Sequence, residues 1–97
     1  MKLHFTPRAT QDLAGIADFI SARNPAAALR VRASILNSLK NLVLFPEVGR
    51  RQTIKSVRKL VTRKYPYIVY YAVDQAAEEI IILTIQHPAR EREHSDA

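Results

Sequence analysis

The sequence predicts an α+β domain in which a helical hairpin covers one face of a small sheet. Three observations support this fold class: the chain opens with an alternating apolar pattern, continues with two helical patterns, and closes with three strand-like runs. The element order is therefore β-α-α-β-β-β, a two-layer arrangement whose later strands form an antiparallel sheet. A chain of 97 residues holds one domain with a modest core, and we expect that domain to span residues 1–97.

The first half of the chain is predicted to form one strand and two helices. Residues 2–6 alternate in polarity, which favours a short strand. Thr6-Pro7 marks a helix start, because proline fits the first helical turn without losing a hydrogen bond. Asn24-Pro25 ends that helix and begins another, which reaches about Val43. The short connection predicts an antiparallel helical hairpin.

The second half is predicted to supply three strands, near Val57–Arg63, Tyr67–Val73 and Ile80–Gln86. The loop over residues 44–53 precedes them, and Gly49 within it suits a positive φ. The last two strands should pair antiparallel, since only residues 74–79 join them. The first strand must enter the same sheet, but the pattern does not identify its neighbour. Residues 91–97 are polar, and we expect a flexible tail there.

Composition excludes several classes of protein. The chain has no cysteine, and its three histidines are scattered, so we expect no disulfide, no metal site and no cofactor. No apolar run reaches the roughly 18 residues of a membrane span, and the N-terminus lacks an apolar signal core, which predicts a cytoplasmic protein without membrane contact. The net charge of +6 favours an anionic partner, although small basic domains also carry such charge for solubility.

Seven basic residues without an intervening acid lie between Glu47 and Asp74; they are Arg50, Arg51, Lys55, Arg58, Lys59, Arg63 and Lys64. Two interpretations stay open: contact with phosphates or an acidic partner, or an edge strand protected by charge against strand addition. We place Arg50, Arg51 and Lys55 on the loop, and strand alternation turns Arg58 away from Lys59 and Arg63.

Four tyrosines accompany the basic residues: Tyr65, Tyr67, Tyr70 and Tyr71. Such tyrosines can stack on nucleic-acid bases. The more common explanation is a half-buried strand tyrosine whose hydroxyl reaches the surface.

The chain leaves its last predicted strand through His87, Pro88, Ala89 and Arg90. A histidine and an arginine at a strand end could act as a general base and a phosphate-binding cation in a ribonuclease. The alternative is a histidine with a local hydrogen-bonding role, because no second acid–base residue accompanies it.

Three segments resemble the RelE/ParE superfamily of bacterial type II toxin–antitoxin toxins. They are the helical hairpin with its Phe45-Pro46 exit and Gly49, the run RKLVTRKYPYIVYYAVD, and the closing EIIILTIQHPARER. The last two are similar to the ParE-type pattern of a tyrosine-rich strand, a short turn and a strand ending in His-x-x-Arg. The resemblance covers nearly the whole chain.

Within this superfamily the chain is more similar to the ParE-like branch, whose members poison DNA gyrase, than to the RelE-like ribosome-dependent nucleases. In the nuclease branch an arginine commonly stands near the start of the tyrosine-rich strand, where this chain has Ile68. That branch also often carries a late tyrosine or histidine, and here only His94 is available. Arg90 does match a phosphate-binding arginine. The resemblance thus favours target binding over catalysis, with an endoribonuclease as the alternative.

The ParE-like resemblance implies a target-binding surface made of Arg50, Arg51, Arg63, His87, Arg90 and Arg92. In the alternative mRNA interferase, Arg90 would hold the scissile phosphate, His87 would act as acid or base, and Lys59 or Arg63 would stabilise charge. A third hypothesis is a non-toxic basic binding module.

Both toxin hypotheses imply an acidic, ParD-like antitoxin and a toxin–antitoxin hetero-oligomer. A helix of the antitoxin would lie along the hairpin, with candidate contacts at Leu13, Ile16, Phe19 and Ile20. Phe19 is offset from the apolar stripe of its helix, so it either contacts the antitoxin or borders the interface within the domain.

Overall fold

The computed structural model describes residues 1–88 and contains two helices and a five-stranded sheet. The elements are β1 Lys2–Phe5, α1 Pro7–Ser21, α2 Pro25–Leu44, β2 Arg50–Arg51, β3 Val57–Val61, β4 Ile68–Asp74 and β5 Glu79–Gln86. The predicted α+β class is confirmed, with one more strand than expected. The predicted tail over residues 91–97 lies outside the described residues.

Both helices begin where the sequence predicts. The Thr6 side chain caps α1 by accepting a hydrogen bond from the Ala9 N–H at 3.0 Å, and Asn24 caps α2 by accepting from the Ala27 N–H at 3.1 Å. The Thr6 hydroxyl also donates to the Leu83 carbonyl at 2.9 Å, which attaches the start of α1 to β5.

The strand order is β1-β5-β4-β3-β2. β1 lies parallel to β5, which identifies the neighbour that the sequence pattern left open, and the other pairs are antiparallel. Between β4 and β5 the register shifts at Tyr70/Tyr71: Tyr70 pairs with Thr84 and Tyr71 with Ile82, so Leu83 is an extra residue. A β-bulge of this kind leaves one residue unpaired and bends its strand locally.

The core lies between the helical hairpin and one face of the sheet. Its largest fully buried side chains are Ile35, Leu39, Leu42, Val69, Tyr71, Ile80 and Ile82. Because strand side chains alternate between faces, Tyr70 and Ile68 belong to the opposite face of β4. We call that side of the sheet the open face.

The structure corrects the prediction for residues 44–53, which are not all loop. Arg50 and Arg51 form β2 and pair with Lys59 and Arg58. Two residues are too short to show a periodic pattern, so only the pairing with β3 reveals this strand.

The prediction of a positive φ at Gly49 is wrong, because positive φ angles occur instead at Ser56, Lys64 and Glu78. Gly49 is needed for space: a Cβ there would lie 2.5 Å from the Tyr71 hydroxyl. Tyr71 is in turn fully buried, so its hydroxyl does not reach the surface as strand tyrosines were expected to do.

Candidate functional site

Side chains from four strands form a row across the open face. In the pairing of neighbouring strands, Arg50 lies opposite Lys59, Lys59 opposite Tyr70, and Tyr70 opposite Thr84. Partners in register project from the same face, so two cations and a tyrosine lie side by side. The sequence placed Arg50 and Lys59 in separate elements and could not predict this alignment.

A second row on the open face is largely apolar. In this row Val61 lies opposite Ile68 on the neighbouring strand, and Ile68 lies opposite Gln86. Ile68 is only 3% exposed. An aliphatic side chain at this place offers no hydrogen bond and no charge to a phosphate.

Arg58 faces the other way, as strand alternation predicts. It pairs in register with the buried Tyr71, and its Nη1 donates to the carbonyls of Glu47 at 3.1 Å and Gly49 at 2.8 Å. The Tyr71 hydroxyl donates to the Pro46 carbonyl and accepts from the Gly49 N–H, both at 2.8 Å. These two side chains hold the loop of residues 46–49 in place, and β2 follows this loop at the edge of the sheet.

The hairpin of β2 and β3 encloses a cavity of about 480 Å³, which we call the hairpin cleft. Its lining residues are Arg51, Gln52, Thr53, Lys55, Ser56, Val57 and Arg58. Three cationic residues and two residues with hydroxyl groups therefore line one cavity.

A second cavity, of about 570 Å³, lies between α1 and the end of β5, and we call it the exit groove. Its lining residues are Gln11, Asp12, Gly15, Ile16, Phe19, Tyr67, Ile85, Gln86 and His87. The rings of Tyr67 and His87 meet edge to face, with centroids 5.8 Å apart. Burial raises the pKa of the Tyr67 hydroxyl, so this phenol stays protonated at neutral pH.

Asp12 connects α1 to the end of β5 beside the exit groove. Its Oδ2 accepts a hydrogen bond from the Ile85 N–H at 3.0 Å, and its Oδ1 lies 3.7 Å from Arg8 Nε. No sequence pattern indicates this role of Asp12, because its partner Ile85 lies 73 residues away in the chain.

The predicted target-binding residues do not form one patch. Arg50 and Arg51 occupy the edge strand β2, whereas His87 follows β5, three strand spacings or about 14 Å across the sheet. Arg63 is exposed in the turn after β3, and its carbonyl accepts a hydrogen bond from the Ser34 hydroxyl at 3.2 Å. The candidates Arg90 and Arg92 lie outside the described residues.

The predicted antitoxin contacts differ in exposure. Leu13, Ile16 and Ile20 are half-buried and pack against the core, since they form the apolar stripe of α1. Phe19 is 66% exposed, and the Arg23 guanidinium lies 5.0 Å from its ring centroid. Phe19 is thus the member of this set with most surface left for a partner.

Two further observations on the described part of the chain concern metal ligands and membrane-spanning helices. Residues 1–88 contain no group of three His, Asp or Glu side chains that could hold a metal ion. Neither α1 nor α2 is long and apolar enough to cross a membrane.

Comparison with known proteins agrees with this architecture. The model of a family described as the ParE toxin of the type II toxin–antitoxin system parDE matches residues 3–92. The chain is 37% identical over 86 residues to Y4kP of Sinorhizobium fredii, which is named as a toxin, covering 89% of this chain and 86% of that protein. It is 35% identical over 86 residues to toxin RelE2 of Caulobacter vibrioides, covering 89% and 93%.

A solved structure of the chromosomal ParDE toxin–antitoxin system from P. aeruginosa superimposes with a TM-score of 0.77 at 30% identity. The match covers 90% of this chain and 95% of that one.

Proposed function

This chain belongs to the ParE toxin family of type II toxin–antitoxin systems, and we propose that it arrests bacterial growth by binding DNA gyrase. The observation that carries this proposal is Ile68, which occupies the open face where the nuclease branch commonly has an arginine. A nuclease must place positive charge against the phosphorane of its transition state. A buried isoleucine at that place favours target binding over cleavage.

The acid–base groups of the described residues support the same choice. Cleavage through the 2′-hydroxyl needs one group to take a proton and another to return it. The ring of Tyr67 meets His87 edge to face, and burial raises the pKa of the Tyr67 hydroxyl, so Tyr67 cannot take a proton at neutral pH. Lys59 lies on β3, two strand spacings from the strand that leads to His87.

The surface we propose for the target combines charge with exposed apolar groups. Leu44, Phe45 and Val48 are 71%, 65% and 61% exposed, and they lead directly into Arg50 and Arg51. Exposed aromatic and aliphatic groups beside arginines are typical of protein interfaces.

We also propose that the chain is neutralised by a cognate acidic antitoxin in a hetero-oligomer. The family description and the P. aeruginosa ParDE relative support such a partner. The net charge of +6 favours an acidic one. The exposed ring of Phe19 on α1 is the contact we assign to it.

A ribosome-dependent mRNA interferase is the second candidate. The relative named RelE2 and the alignment of Arg50 with Lys59 on the open face support it. Family membership favours both toxin hypotheses over a non-toxic basic module.

Two assays on the purified protein separate the candidates. A gyrase inhibitor should abolish DNA supercoiling by gyrase at saturating toxin and leave ribosome-bound messenger RNA intact. Unchanged supercoiling together with cleavage of ribosome-bound message would contradict the proposal and establish the interferase. As the control for general interference with DNA, the toxin is added to a topoisomerase other than gyrase, whose activity should not change.

A further inference from the structure

We propose that the hairpin cleft binds a phosphate group of a nucleic-acid backbone, which gives this chain a direct nucleic-acid contact in addition to its protein target. The cleft of about 480 Å³ falls within the usual size of ligand sites. It lies at the β2 edge of the sheet.

The charge of the cleft is not neutralised within the described chain. Arg51, Lys55 and Arg58 line it, and the one ion pair found among residues 1–88 joins Arg8 to Asp12 instead. Arg58 is held in place by hydrogen bonds from Nη1 to two loop carbonyls, so one wall carries a fixed positive charge. Its other N–H groups are available to a ligand.

The turn between β2 and β3, which supplies Thr53, Lys55 and Ser56 to the lining of the cleft, carries neutral donors. Its ends are joined by a hydrogen bond from the Gln52 N–H to the Val57 carbonyl at 3.1 Å. Within residues 1–88, the four amides of residues 53–56 have no hydrogen-bond acceptor among the protein groups. Successive free amides in a turn that contains a left-handed residue, here Ser56 with a φ of 70°, commonly bind anions. The Thr53 and Ser56 hydroxyls add two more donors.

A phosphate polymer fits this surface better than an acidic protein side chain does. One bidentate arginine is enough for a carboxylate, whereas the cleft offers three cations together with hydroxyls and amides. The positive charge also extends to Arg50 on the same edge strand, at the margin of the cleft, although the Arg50 side chain belongs to the open face. Such an extension matches a ligand that repeats its charge along a chain.

Binding of a labelled DNA duplex, followed by fluorescence anisotropy at several salt concentrations, tests the inference without gyrase. The variant Arg51→Gln/Lys55→Gln should weaken binding about tenfold or more and reduce the slope of log K against log salt by about 2. The matched control is Arg30→Gln/Arg32→Gln, which removes the same charge from exposed positions in the N-terminal half of α2. The control should change affinity less than twofold, and circular dichroism should confirm that both variants are folded.

Competition identifies the ligand. Pyrophosphate that displaces the duplex from the wild type supports a phosphate site, and a single-stranded RNA of the same length that binds more tightly assigns the polymer to RNA. An equal loss of duplex affinity in the cleft and control variants would show that binding depends on the total charge of the protein, and would overturn the inference. Binding of a polyglutamate peptide without binding of any nucleic acid would also overturn it. Because gyrase is absent, none of these outcomes depends on the function proposed above.

Discussion

At the scale of single residues, a buried tyrosine determines where the basic edge of the sheet lies. The Tyr71 hydroxyl donates a hydrogen bond to the Pro46 carbonyl and accepts one from the Gly49 N–H. The Arg58 guanidinium donates to the carbonyls of Glu47 and Gly49 in the same loop. The positions of Arg50 and Arg51 follow from these contacts, because they come next in the chain.

The two glycines allow a matched test of this arrangement. A Cβ at Gly49 would lie 2.5 to 2.9 Å from three atoms of Tyr71, whereas one at Gly15 would meet nothing within 4 Å. Gly49→Ala should therefore lower the free energy of unfolding by about 1–3 kcal/mol. Gly15→Ala in the middle of α1 should raise it by about 0.5–1 kcal/mol, because alanine favours the helix. Urea denaturation of both variants measures the difference, and equal stability would contradict the packing described here.

Tyr71 also makes stability depend on alkaline pH. Burial is the largest effect on its hydroxyl and raises its pKa above the usual 10.0, against smaller lowering effects from the Gly49 N–H and Arg58. The folded protein then holds the proton more tightly than the unfolded chain, so this stabilisation is complete below pH 10 and is lost as pH rises through the folded-state pKa.

The free energy of unfolding should accordingly fall above about pH 10 in the wild type and fall less steeply in Tyr71→Phe. At neutral pH the same variant should lose about 1–3 kcal/mol, because it leaves the buried Gly49 N–H without an acceptor. Tyr65→Phe is the control, since the half-buried Tyr65 contributes no hydroxyl hydrogen bond within residues 1–88. Identical pH profiles for all three proteins would refute this role of Tyr71.

At the scale of elements, α1 is attached to the end of β5 by polar contacts as well as by its apolar stripe. The Thr6 hydroxyl reaches the Leu83 carbonyl, and the Asp12 carboxylate accepts from the Ile85 N–H. The first contact falls at the extra residue of the β-bulge, and the second lies two residues further along β5, beyond the residues that pair with β1. Asp12 and Ile85 also line the exit groove.

Replacing Asp12 should therefore affect more than an ion pair. Asp12→Ala removes the acceptor for the Ile85 N–H and should lower stability by about 1–3 kcal/mol. Arg8→Ala removes only the partner of the ion pair, whose Arg8 side chain is 61% exposed, and should change stability by less than about 0.5 kcal/mol. Thermal unfolding separates the two effects. A loss in Arg8→Ala equal to that in Asp12→Ala would show that the ion pair matters instead.

The elements differ in how far the sequence could predict them. Thr6-Pro7 and Asn24-Pro25 mark the helix starts because capping and proline act locally. The strand β2 could not be predicted because two residues show no periodic pattern, and the neighbour of β1 could not be predicted because that pairing joins opposite ends of the chain. Gly49 was identified as special, but for the wrong reason: the cause is the ring of Tyr71, 22 residues away.

At the scale of the whole molecule, the candidate surfaces lie on different sides of the domain. The basic edge at β2 and the exit groove at the end of β5 are separated by the width of the intervening strands. The sequence predicted the residue types of these surfaces, since charge and aromatic content are visible in composition. It could not predict that Arg50 and His87 are far apart, because that separation is a property of the strand order. A toxin with separate surfaces can bind its target at one and its antitoxin at the other.

Phe19 tests this separation. Its ring is 66% exposed on α1 and borders the exit groove, so Phe19→Ala should weaken binding of the cognate antitoxin about tenfold or more while changing stability little. The control is Leu29→Ala on α2, an apolar side chain of the same hairpin that is 71% exposed and lies outside the exit groove.

Titration calorimetry gives both affinities, and a gyrase supercoiling assay without antitoxin should show unchanged inhibition by Phe19→Ala. Equal loss in the two variants would indicate an antitoxin spread evenly over the hairpin. Loss of gyrase inhibition in Phe19→Ala would show that target and antitoxin share one surface.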